Sequence, residues 1–229
     1  MIGSTNHLPN HYVPTLVVDY DKNQKLNRRL LIMAIVLFIG LFLLGNTYLP
    51  IYLMGYDAQG QFLPIPVIGL KVGILVIIFV FYTLIHEKIR GILMKRFSGR
   101  ESSLEFRGST AFAKSEGFFS KRDFRIISLG PVLILAFLIF LVTIILPMDW
   151  FWVGFIAQIL NLAGSLKDFY GAWQGIKQPA DVLIQDNGQV QTFYTPDLER
   201  LARSVHRSNS APTSSRSKQN KKIYPKRKK

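Results

Sequence analysis

Cysteine is absent from this 229-residue chain, which excludes disulfide bonds and every thiolate metal site. Histidine is scarce: His7, His11, His86 and His206 are the four present. Acidic residues number fourteen against twenty-eight Lys and Arg, and none follows Arg200. Eleven Lys and Arg fall between Arg200 and Lys229, among Ser, Asn and Pro. Such a stretch cannot bury enough apolar surface to fold alone. Its basic cluster, Lys221, Lys222, Lys226, Arg227, Lys228 and Lys229, suits anionic lipid at ~1 kcal/mol per residue near a membrane. Nucleic acid is the weaker partner, because aromatic residues do not alternate with the basic ones; Tyr224 stands alone.

What the chain has in abundance is long apolar runs. Crossing a bilayer takes ~20 predominantly apolar residues, and four runs approach that length: Leu30–Leu49, Val67–Ile85, Ile126–Leu146 and Trp150–Phe169. Lys22, Lys25, Arg28 and Arg29 before the first run imitate a signal peptide. A polar stretch of nearly thirty residues precedes it, however, and LGNTYLP offers no small-x-small cleavage site, so an uncleaved membrane helix is expected. The reading is an all-α membrane protein with four transmembrane helices.

Lys and Arg alternate across the loops: four before the first run, none from Gly45 to Pro66, ten from Glu87 to Arg125, none from Pro147 to Asp149, then a basic tail. By the positive-inside rule both termini are cytoplasmic, and the expected location is a plasma membrane. The chain divides into an N-terminal arm (1–29), a four-span membrane domain (30–176) with a cytoplasmic insertion at about 96–125, a hairpin (177–196) and a disordered basic tail (197–229). Period-two alternation in SLEFRGSTAFAKSEGFF predicts a short cytoplasmic β-hairpin near residues 103–120. DVLIQDNGQVQTFY predicts a second, turning at Asp186, Asn187 and Gly188. PTLVVDY in the arm can form a short strand. Pro131 falls inside the third run, where it distorts a helix.

Two features carry chemistry. In LIHEKIRGIL, His86 and Glu87 begin the zinc-protease signature HExxH, in which two histidines one turn apart grip Zn²⁺ and the Glu acts as general base. The fifth position is Arg90, which is always charged and offers no lone pair. In the last run, Gly154, Gln158, Asn161, Ser165 and Asp168 are spaced to share one helix face. A polar stripe in a membrane helix must face protein or water. Parallel second and fourth spans would bring His86, Glu87 and Asp168 to similar depth at the cytoplasmic side.

HEKIRG, GPVLIL, NLAGSLKD and PADVLIQDNG together resemble the bacterial putative zincin peptidase family, formerly a domain of unknown function, over roughly Ile65–Tyr194. That family is similar to the site-2 intramembrane zinc metalloproteases. The resemblance implies His86 as first zinc ligand, Glu87 as base, Asp168 as third ligand, and Asn161 lining the cavity with Ser165 beside it. A catalytic zinc keeps three protein ligands plus water, and Arg90 stands where the second belongs. His7, His11 and His206 reach the site only by folding back. Arg90 can instead fork onto a carboxylate, pairing with Asp168 and with Glu87 in place of a metal; the bland alternative is a residue snorkelling to headgroups.

The expectation is therefore a non-catalytic relative with no cofactor, binding a membrane protein partner, with strand addition at the first hairpin as one mode. The alternative is an active zinc protease with water or His206 as second ligand. A third reading is a small transporter lined by the polar stripe and by Lys71, itself placed near enough to the outer surface to snorkel.

Overall fold

The computed structural model describes residues 3–57, 59–108 and 110–197. Asn23 caps α1 (Gln24–Tyr48) by accepting from the Leu26 N–H at 3.0 Å. Pro64 and Pro66 flank the start of α2 (Ile65–Ser98), where the N–H that proline lacks has no helical partner in any case. Ser120 caps α3 (Lys121–Ile145), accepting from the Asp123 N–H at 3.2 Å and donating to its carboxylate at 2.8 Å. These three helices are long and apolar enough to cross a membrane. Their large apolar side chains, such as Leu31, Val76 and Leu133, are 60%, 59% and 66% exposed. A face of that kind is stable against lipid rather than water. The chain is a multi-pass membrane protein.

The last apolar run is not one continuous helix. It divides at Ser165 into α4 (Phe151–Gly164) and α5 (Leu166–Lys177). Fourteen residues of α4 rise about 21 Å, short of the ~30 Å hydrocarbon core. Ser165 adopts φ −90°, ψ 11°, and its hydroxyl donates back to the Asn161 carbonyl at 2.8 Å. Back-bonding of this kind competes with the helical ladder and bends it. Pro131 lies buried within an unbroken α3.

At one end of the bundle lies more β-structure than an all-α reading allows. β1 (Tyr12–Asp19), β4 (Phe118–Ser120), β5 (Leu183–Asp186) and β6 (Val190–Pro196) form one antiparallel sheet in the order β1-β6-β5-β4. The N-terminal arm is thus an edge strand, and the hairpin β5–β6 sits inside a sheet rather than standing alone. The other hairpin, β2 (Ser102–Arg107) and β3 (Thr110–Ser115), pairs Ser102 with Ser115 and turns at Gly108, whose φ is +60°. The architecture is mostly helical with small antiparallel sheets. Between the sheet and the helix ends lies a core including Met94, Phe119, Phe124 and Phe193, all fully buried. Phe124 and Phe193 meet edge to face at 6.2 Å, a favoured arrangement for two ring quadrupoles.

At the opposite end, Lys71 does not snorkel. It is fully buried, and its ammonium donates to the Met54 carbonyl at 3.0 Å, the Asp149 carbonyl at 2.8 Å and the Asp149 carboxylate at 2.9 Å. Short 3-10 turns at Ile51–Gly55 and Met148–Trp150 bring those acceptors over it. All three ammonium protons are used, so a buried charge is tolerated there.

Candidate functional site

The helix α2 runs thirteen residues beyond Ile85, to Ser98. His86, Glu87 and Arg90 consequently lie in regular helix, with His86 and Arg90 one turn apart on one face. Both are about 5% exposed. α5 presents the buried Asp168 to that face, and β5 ends there at Asp186, which is fully buried.

Arg90 joins the three elements. Nη1 donates to Asp168 Oδ1 at 2.6 Å, and Nη2 donates to Asp186 Oδ2. Asp186 also accepts from the Gly188 N–H at 2.8 Å and from Gln191 Nε2 at 3.4 Å. Gly188 takes φ +84°, and a Cβ there would run into Phe112 of β3. The turn therefore requires glycine twice over, for its backbone angle and for its contact. Tyr20, just after β1, donates to Gln191 Oε1 at 3.0 Å. Burial raises its phenol pKa above the ordinary range, and the nearby Asp186 and Asp168 charges raise it further.

Glu87 is held separately. Its Oε2 accepts the Ala113 N–H at 2.8 Å, hooking β3 onto α2. Its Oε1 lies 3.4 Å from His86 Nδ1 and 4.0 Å from Arg90 Nη1. The other imidazole nitrogen, His86 Nε2, is buried without a hydrogen-bond partner and lies 3.7 Å from Asp168 Oδ2. These groups border a cavity of about 300 Å³ together with Tyr82, Lys167 and Gln191.

The polar stripe divides among neighbours. Gly154 lets the Thr143 side chain of α3 approach closely enough that a Cβ would overlap it. Gln158 borders a groove between α3 and α4. Asn161 is fully buried and donates to the Val132 carbonyl at 3.1 Å, tying α4 to α3. Ser165 lies 3.0 Å from the hydroxyl of Tyr82, and only Asp168 reaches the guanidinium. His7 and His11 do not border the cavity. His206 and the basic cluster Lys221 to Lys229 lie outside the described residues.

Sequence reasoning gives Asp186 only the role of a turn residue, and Tyr20 and Gln191 only places in extended segments. The available signal was an acid closing an apolar strand, VLIQD, which resembles the start of any Asx turn.

A tetrahedral zinc needs three protein donors with free lone pairs around one point. No group of three or more His, Asp and Glu placed to hold a metal is found among the described residues. His86 Nε2 is free to ligate, but Asp168 and Asp186 each already hold one arm of a cation. The donor set does not fit a zinc ion.

Residues 78–183 match the family model described as putative zincin peptidase, and this stretch carries a putative zincin peptidase domain. It includes His86, Glu87, Arg90 and Asp168 and ends three residues before Asp186. No curated protein and no solved structure matches the chain.

Proposed function

We propose that the chain is a non-catalytic member of a zinc-protease lineage, in which Arg90 takes the place of the metal and the membrane domain binds a protein partner. The observation that carries this reading is the guanidinium shared between Asp168 and Asp186. A buried carboxylate needs a counter-charge, and here a side chain supplies what an ion supplies in a metalloprotease. Glu87 supports the same reading: its carboxylate accepts a backbone N–H, a structural task that needs no metal-bound water.

In this reading α4 and α5 together make the fourth crossing. The sheet end, which carries the Lys and Arg of the long loop, faces the cytoplasm with both termini. The partner is a membrane protein. Leu104 and Phe106 on β2 are 41% and 64% exposed, and the two-stranded β2–β3 sheet offers an edge to which an extended segment can add.

The test is the behaviour of Glu87→Gln and Arg90→Ala in a strain whose growth or stress phenotype depends on this gene. A non-catalytic protein keeps its role with Glu87→Gln and loses it with Arg90→Ala. Loss of the role with Glu87→Gln in a normally folded sample, matched by loss under chelation, restores the active protease.

A further inference from the structure

A second cavity, of about 730 Å³, lies between α1 and the wall made by α4 and Phe79 of α2. That volume falls within the ~300–1,000 Å³ range of small-ligand sites. Along α1 its lining follows one helix face and changes character with depth: Gln24, Asn27 and Arg28 at the sheet end, then Leu31, Ile35 and Phe38. Across the groove the order repeats, with Lys167 at the sheet end and Ala163 and Leu160 deeper. The lining thus holds two cations and no acid. Lys167 rests over the Tyr20 ring at 5.7 Å from its centroid, which fixes one of the two charges.

The dimensions match one leaflet. From Arg28 to Phe38 the helix rises about 15 Å, half of the ~30 Å hydrocarbon core. Leu31 and Ile35 are 60% and 50% exposed, so the groove opens sideways into the bilayer.

We propose that this groove is a binding site for one anionic phospholipid, with its phosphate between Arg28 and Lys167 and one acyl chain along Leu31, Ile35 and Phe38. Charge selects the headgroup, and the apolar face takes the acyl chain. Phe79 and Gly164 border both this groove and the His86–Asp168 cavity. A bound acyl chain therefore stands between the bilayer and that cavity.

The probes are phosphatidylglycerol and phosphatidylcholine of identical acyl chains, each bearing a diazirine in one chain, added to the full-length protein in vesicles and mapped by peptide mass spectrometry. The phosphatidylglycerol probe labels peptides containing Leu31–Phe38 and Leu160–Ala163 about thirtyfold more than phosphatidylcholine does. That excess disappears in the Arg28→Gln/Lys167→Gln variant, which retains the basic tail. Equal labelling by the two lipids overturns the proposal. So does an excess unchanged in the double variant, or crosslinking of these peptides to a second protein chain in place of lipid. The wild-type comparison decides the headgroup preference even if the double variant folds poorly.

Discussion

The guanidinium of Arg90 stands 2.6 Å from the carboxylate of Asp168, joining α2 to α5 across seventy-eight residues of chain. Its second arm reaches Asp186, so one side chain pins a membrane helix, a shorter helix and a strand at a single point. Removing one member of a buried ion pair costs ~3–5 kcal/mol, because the partner charge remains buried without compensation. Arg90→Ala is expected to lose that amount, seen as a lowered midpoint in thermal unfolding of the detergent-solubilised protein. Arg90→Lys should rescue little, since an ammonium cannot span two carboxylates as a planar fork does. A midpoint within a degree of wild type for Arg90→Ala would place the residue at the headgroups instead.

Asp186→Asn is expected to destabilise as well. The amide oxygen can still accept the Gly188 N–H that the carboxylate accepts at 2.8 Å, but the charge facing Arg90 is gone. A hydrogen bond to a charged group is worth ~1.5–3 kcal/mol, which is the expected loss in chemical denaturation. Alanine at Asn187, whose side chain accepts only at the exposed turn, should cost less. Equal effects at the two positions would mean that Asp186 is a turn residue only.

At the other end, Lys71→Ala is expected to cost ~3–5 kcal/mol by leaving Asp149 without its buried partner. A snorkelling lysine would cost under ~0.5 kcal/mol, like other surface changes. Thermal unfolding of Lys71→Ala beside Asp149→Asn separates the two, and the double change Lys71→Met/Asp149→Asn should recover part of the loss.

Within the last apolar run, the glycines divide. Gly154→Ala places a methyl into the Thr143 side chain, and overpacking of this kind costs ~1–3 kcal/mol. Gly164→Ala meets only the Tyr82 ring, at an ordinary 3.7 Å, and should be near neutral. Comparing their unfolding midpoints checks the α3–α4 contact directly.

Much of this arrangement was readable from the chain because it rests on periodicity. Apolar runs mark α1, α2 and α3; helical spacing puts Asp168 on the polar stripe, and the parallel direction of the second and last runs puts it at the depth of His86. The alternation flanking Gly108 marks β2 and β3. What sequence reading missed rests on pairing between distant segments. β1 joins β6 across more than 170 residues; the strand in PTLVVDY is legible locally, but its partner is not. Asp186 carries the local signature of a turn, while its burial and its bond to Arg90 are tertiary facts. The division at Ser165 comes from a hydroxyl bonding back to Asn161; the local signal, the Gly164–Ser165 pair, reads equally as small residues for close helix packing. Lys71 resembled a surface lysine because its acceptors, the Met54 and Asp149 carbonyls and the Asp149 carboxylate, come from two turns on other parts of the chain.

The most direct measurement is elemental metal analysis of the purified, detergent-solubilised protein beside its Arg90→His variant. Wild type without zinc, and a folded variant with close to one equivalent, is the result the account predicts. Stoichiometric zinc in the wild type that disappears in Asp168→Ala would contradict it, and would make His86 and Asp168 ligands in a working metal centre.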